Sequence, residues 1–267
     1  MPDIPLYILC TLGYAGLAAW LWPGRPGCCR TDLTVRLLPL VPLSLHIYLL
    51  QAEAFGGGGI HLGFSTSLSG IAALTVLTYA GASWRYHLAG LQGFVLAFAA
   101  VTVAIESISP IPHAAMYSAS PLFKAHLLVA FSAYSLFTIA ALHALLIALA
   151  QKNLHRAVPA TMVAGLPPLL TLEKLLFRMI QLGFALLTLT LLSGIIFSEE
   201  IFGKALTFNH KTVFGVASWL IFGALLIGRH VRGWRGRTAI YWTLAGFVSL
   251  MLAYVGTKFV LEVILGR

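Results

Sequence analysis

The sequence predicts an all-α protein, a polytopic membrane bundle of about eight transmembrane helices, and three observations lead there. Hydrophobic residues fill 59% of the 267 positions and charged residues only 9%, with a mean hydropathy of +0.91. A water-soluble fold of that composition would have nowhere to put its apolar surface. The apolar residues come in runs of about 19, the length an α-helix needs to cross ~30 Å of hydrocarbon. The basic residues stand singly in the short breaks between those runs. Despite a net charge of +9, that scatter encodes membrane topology and excludes a nucleic-acid surface, so the lipid bilayer is the expected partner.

The runs fall at 4–22, 36–55, 67–84, 88–107, 126–150, 178–197, 212–229 and 239–264. The first follows Asp3 with no basic residue and no convincing cleavage site after it, so it is expected to be a retained helix and not a signal peptide. The second ends at Gly56 to Gly59, a flexible hinge, and the third and fourth are separated by a short turn around Arg85. The longest connection, Gln151 to Phe177, holds Pro159, Pro167 and Pro168 and then LEKLLFRMI. It is expected to be a membrane-surface lead-in with Glu173, Lys174 and Arg178 in water. The seventh run lies between His210 and the basic turn GWRG, Gly233 to Gly236, flanked by Arg229, Arg232 and Arg237. In the eighth, Lys258 and Glu262 stand four apart, where their charges offset each other.

Loops on one side hold Arg25, Arg30, Arg36, Arg85, Lys152, Arg156, Lys174, Arg178, Arg229, Arg232, Arg235 and Arg237, twelve of the seventeen basic residues. The other side holds Lys124, Lys204, Lys211, Lys258 and Arg267. The positive-inside rule then places both termini outside, in the periplasm of a bacterium, and the whole chain as one multi-pass domain of the inner (cytoplasmic) membrane.

The three cysteines narrow the chemistry. Cys10 lies inside the first span and Cys28 and Cys29 are adjacent, so no C-x-x-C thiol pair exists, and without C-x-x-C-H the chain does not attach haem to itself. G-x-x-x-x-G-K-S/T, H-E-x-x-H and G-x-S-x-G are absent too.

Nine histidines remain. His87, His155 and His230 fall in inner loops beside basic residues, and His61 and His113 in outer loops, where each is most simply solvated. His126 and His210 each open a span running from outside to inside, at helix N-termini of the outer leaflet. A neutral imidazole there is a competent axial ligand for haem iron, and the helix ends would favour haem propionates; interfacial capping is the equal alternative. His46 and His143 are intramembrane. His46 shares a helix face with Glu53, seven residues on, and is a candidate second cofactor-binding position, against a plain hydrogen bond to a neighbouring helix. Glu106 lies near the outer side. His143 is 17 residues beyond His126, ~25 Å down the same helix, so those two cannot share an iron.

The stretch LEKLLFRMIQLGFALLTLTLLSGIIF, then FGKALTFNHKTVFGVASW, GRHVRGWRGRTAIYWTLAGF and YVGTKFVLE, resembles the integral membrane cytochrome c assembly family. The likeness is to its YpjD-like branch, related to CcsA and more distantly to CcmC and CcmF. It is specific over Lys124 to Glu262, so helices 1–4 in residues 1–123 are a divergent part and helices 5–8 in 124–265 the cytochrome c assembly-like part. In CcsA-type proteins an outer-leaflet histidine opens a helix that continues to Ser or Ala followed by Tyr. His126 with Ala133 and Tyr134 matches, which implies an axial haem ligand. The family's tryptophan-rich W-G-x-x-W-x-W-D segment is represented only by Phe202, Gly203, Leu206, Phe208 and Asn209. Its inner-end histidine falls at Ile227, its last outer histidine has no counterpart after Tyr254, and His210 stands where it can replace a lost ligand.

The resemblance therefore implies a haem-handling accessory factor of cytochrome c assembly. It would hold non-covalent haem b between His126 and His210, with His46 as a second site and other cytochrome c maturation or haem biosynthesis proteins as partners. A HemX-like regulator acting by protein contact and a small-molecule transporter are the alternatives.

Overall fold

The computed structural model of the chain describes residues 4–23, 25, 32–55, 63–86, 88, 90–109, 120–155, 166–202 and 210–259. His61, His87, His113, Cys28, Cys29, Gly56 to Gly59, Gly203 to Asn209 and Glu262 lie outside the described residues, as do the side chains of His155, Phe202 and Lys258.

All regular structure among the described residues is helical: α1 Ile4–Trp20, α2 Leu33–Leu37, α3 Leu40–Phe55, α4 Phe64–Ser83, α5 Gln92–Ile108, α6 Pro121–His155, α7 Leu169–Phe202, α8 His210–Arg232, α9 Arg237–Met251 and α10 Thr257–Phe259, with a π-helical turn Leu252–Gly256 before α10. Among the described residues, six segments are long and apolar enough to cross a membrane, and α1 and α5 are shorter apolar helices. At 17 residues each, those two reach ~25 Å, the lower limit for a crossing. The result is the expected bundle of eight apolar helical segments, with α2 and α3 sharing one.

Neighbouring spans run antiparallel in two four-helix groups. In the first, α1 packs along α5, α3 lies on α1 and α4, and α4 on α5. In the second, α6 lies between α7 and α9, α8 closes the ring against the same two, and α4 packs on α6 to join the groups. The second ring has a shared centre. Phe137 of α6 stacks on Phe222 of α8, with centroids 3.9 Å apart, across the diagonal. A Cβ on Gly183 of α7 would sit 3.1 Å from the Phe137 ring, and one on Gly246 of α9 would sit 2.8 Å from Phe222. Four helices thus meet on one aromatic stack, with a glycine at each end, where a Cβ would clash at Gly246 and crowd the ring at Gly183.

One expectation is corrected. Glu173 is not in water: it is 7% exposed, on the first turns of a continuous α7, and its Oε1 accepts the Gly236 N–H at 2.8 Å. The cause lies in the GWRG turn. Gly236 has φ +59, a left-handed conformation open to glycine, and its N–H at the start of α9 has no carbonyl of its own helix to bond. The Trp234 ring fills the space over Gly228, where a Cβ would come within 2.3 Å. Arg229 donates to the Trp234 carbonyl at 3.1 Å and lies over the Phe177 ring at 4.6 Å. Lys174 and Arg178 are exposed, but the expected surface lead-in from Leu169 to Phe177 is instead the start of the continuous α7, inside an apolar segment Leu169–Ile196 long enough to cross a membrane.

Candidate functional site

His126 stands on the second turn of α6, partly buried against α7. Its Nδ1 is 2.8 Å from the Ser193 hydroxyl, and that hydroxyl donates to the Thr190 carbonyl at 3.1 Å. With its single proton committed, Ser193 accepts from His126, so the imidazole carries N–H at Nδ1 and its lone pair at Nε2. An imidazole oriented through Nδ1–H is the usual form of a metal-bound histidine. The ring lies over the α7 backbone, its Cε1 3.5 Å from where a Cβ of Gly194 would be. Ala133 and Tyr134, farther along the helix, are buried, and Tyr134 donates to the Leu250 carbonyl at 2.8 Å, just before the π turn of Leu252–Gly256.

His210 is the first residue of α8 and is exposed. It lies twelve residues before Phe222, and His126 lies eleven before Phe137. The two rings stack between parallel helices, so both histidines lie ~16–18 Å from the stack, at matched depth. α7 gives a second measure: a Cβ on Gly215, five residues from His210, would meet Leu191 at 3.5 Å, two residues from the Ser193 that holds His126. The rotational phases differ. Eleven residues return His126 to the face of Phe137, and twelve turn His210 ~120° from that of Phe222.

The intramembrane histidines are held differently. His46 is fully buried, with Nε2 2.7 Å from the Ser69 hydroxyl and Nδ1 3.3 Å from the Tyr14 hydroxyl. Ser69 donates in turn to Glu106 Oε2 at 2.5 Å. Glu53 is bonded by Tyr7, one level farther out. His143 donates from Nε2 to the Leu172 carbonyl at 3.0 Å and joins α6 to α7. Cys10 is a buried free thiol against the Pro42 carbonyl. Among the described residues, no group of three or more His, Cys, Asp or Glu side chains could hold a metal ion.

The sequence had given no signal for Ser193, Ser69 or Tyr14. Each is an ordinary polar residue in an apolar run, and its partner lies on another helix.

Comparison with known proteins decides the family. A family model described as "Cytochrome C assembly protein" matches residues 36–265. The chain belongs to the cytochrome c assembly family. It is 31% identical over 229 residues to the inner membrane protein YpjD of Escherichia coli K12, covering 84% of this chain and 85% of that protein. It is 33% identical over 113 residues to the cytochrome c biogenesis protein CcsA of Rippkaea orientalis, covering 39% of this chain and 33% of that one. CcsA of Gloeobacter violaceus is 35% identical over 92 residues, 34% of this chain and 27% of the relative. The family match takes in α3, α4 and α5 as well as the four C-terminal helices.

Proposed function

We propose that this protein is a haem-handling accessory factor of cytochrome c assembly in the bacterial inner membrane. It would hold non-covalent haem b at the outer leaflet, with His126 and His210 as the axial ligands. The observation that carries this reading is the Ser193–His126 hydrogen bond, which orients the ring from its Nδ1 side in the way the second shell of a metal-bound histidine does. Haem held there would supply an iron porphyrin for delivery to an assembly partner. The chain's own residues do the rest. Ser193 fixes the tautomer, the α7 backbone at Gly194 backs the ring, and the start of α8 places His210 at the same depth. His46 is left out of the iron site, because its Nε2 and Nδ1 already face Ser69 and Tyr14.

The visible spectrum of the purified protein tests this. The expected result is a Soret band in the wild type that disappears in the His126→Ala/His210→Ala double variant. A colourless protein that co-purifies a soluble enzyme of haem biosynthesis would instead favour regulation by protein contact.

A further inference from the structure

The first four-helix group holds a second polar system that the haem reading does not use. Two rungs join α1 to α3. Tyr7 bonds Glu53, and seven residues along both helices Tyr14 meets His46. Seven residues are two turns, so both rungs lie on one face of each helix, ~10 Å apart along the bundle. From the inner rung the bonds continue across two more helices, from His46 to Ser69 of α4 and from Ser69 to Glu106 of α5. Tyr7 and Glu53 are only partly buried, whereas Glu106 is 2% exposed and its second oxygen, Oε1, is buried without a hydrogen-bond partner.

The direction of the chain follows from its donors. With Ser69 giving its proton to Glu106, its oxygen accepts from His46 Nε2–H, and Nδ1 then accepts from the Tyr14 hydroxyl. Every link pairs one donor with one acceptor, and every link reverses if a proton sits on Glu106 and points to Ser69. Deeper in the bundle the seam stops. The buried hydroxyls of Thr75 and Thr102 donate to carbonyls of their own helices, Ile71 and Ala99, and Ala18, Leu21, Leu43, Ile71, Ala72, Val76, Leu96 and Ala99 around them are buried and apolar. Among the described residues, therefore, no side-chain hydrogen bond leads deeper from His46, and a proton entering the seam meets a closed end.

We propose that Glu106, Ser69, His46 and Tyr14 form a blind-ended, reversible proton-binding site, open only toward the Tyr7–Glu53 end of the bundle. One proton enters past Glu53 and binds the Glu106 carboxylate. From there it exchanges along Ser69 to the imidazole by making one O–H or N–H bond as the next breaks. No electron moves and no co-reactant is needed. The site stores a proton inside the membrane and conducts none across it.

Among the described residues, the groups facing Glu106 are few. α1 presents Tyr7, Cys10 and Tyr14, and α3 presents His46 and Glu53. Cys10 and Glu53 are near enough to interact electrostatically with Glu106. α4 contributes only hydroxyls at this level, Ser65, Thr66, Ser67 and Ser69, with Tyr254 of the π turn on Ser67 at 3.3 Å. α6, which also touches α5, carries Lys124 exposed and His126 turned to Ser193.

Infrared difference spectra of the full-length protein in lipid nanodiscs, recorded between pH steps, test the site. The expected result is a protonated-carboxyl stretch that grows as pH falls, is lost in Glu106→Gln and persists in Glu53→Gln. Ser69→Ala, which removes one hydroxyl and no charge, should shift the frequency of that band without abolishing it. A wild-type spectrum with no pH-dependent carboxyl band overturns the proposal without need of any variant. So does a band unchanged in Glu106→Gln, or one unmoved by Ser69→Ala. An ionophore-like proton flux through protein reconstituted in sealed vesicles would overturn the closed end.

Discussion

Phe137 and Phe222 stack with centroids 3.9 Å apart and an interplanar angle of 17°, and this contact ties α6 to α8 across the ring of C-terminal helices. Because those helices run parallel, the stack also sets the relative depth of the two histidines that open them. Positions farther out on α6 and α8 inherit that register.

The first prediction concerns the glycines that close the stack. Gly246→Ala pushes a Cβ to 2.8 Å from Phe222, in a core where overpacking costs ~1–3 kcal/mol. Thermal unfolding in detergent should show the loss. Gly223→Ala is the control, since its Cβ would meet Phe184 at an ordinary 3.6 Å and alanine favours helix by ~1 kcal/mol. Equal melting temperatures for the two variants would mean that the stack does not organise the ring.

The second prediction concerns Glu173. Glu173→Ala leaves the partly buried Gly236 N–H without its acceptor, at a cost of ~1 kcal/mol. Glu173→Gln keeps an oxygen in place and should cost much less. Labelling of a cysteine introduced at Arg235 should speed up in the alanine variant alone, as the GWRG turn loosens from α7.

The spans were legible in the sequence because a bilayer sets a minimum apolar length for a crossing helix, and the apolar runs show it directly, whereas the extension of α6 and α7 to 35 and 34 residues was not legible. His126 was legible because it opens a helix in a recognisable pattern with Ala133 and Tyr134. Its supporting Ser193 was not, since that hydroxyl is one of several in LLTLTLLSG and becomes a partner only through the rotation of α7 against α6. Glu173 was misplaced for a related reason. Beside Lys174 and after two prolines it has the local signature of a wet surface, and its partner is a backbone N–H sixty-three residues away. The link from His46 to Glu106 needed three helices in contact before it could be seen at all.

The third prediction follows from Ser193. If His126 ligates haem, Ser193→Ala removes the group that orients the ring and should weaken haem affinity ~10–100-fold, while His126→Ala abolishes it or changes the spin state. With both imidazoles bound, the oxidised iron should be low-spin. Spin labels at positions 126 and 210 separated by more than ~20 Å would exclude one shared haem, because bis-histidine ligation puts both rings on one iron.

The fourth prediction is topological and rests on the bias of twelve basic residues to five. Reporter fusions after Arg85 and Arg235 should register cytoplasm, and fusions after Ser109 and Lys124 the periplasm. A periplasmic signal at Arg235 would invert the bundle, move His126 and His210 to the inner leaflet, and remove the outer-leaflet haem site.

The last prediction is that this protein alone makes no holocytochrome c. Covalent attachment requires the reduced thiols of an apocytochrome to meet a vinyl edge held in place. The tryptophan-rich segment that resembles the family's bed for this task is reduced here to Phe202 and Phe208. A phenylalanine offers a ring face but no indole N–H to hydrogen-bond a haem substituent. The inner-end histidine position is Ile227, and the chain has no C-x-x-C pair to keep a substrate reduced. Expressed in a strain stripped of every native maturation system, the protein should leave a co-expressed apocytochrome without covalent haem, even where its own Soret band is present. Covalent haem on that substrate would show that His126 and His210 suffice without the tryptophans, and would make the protein a ligase.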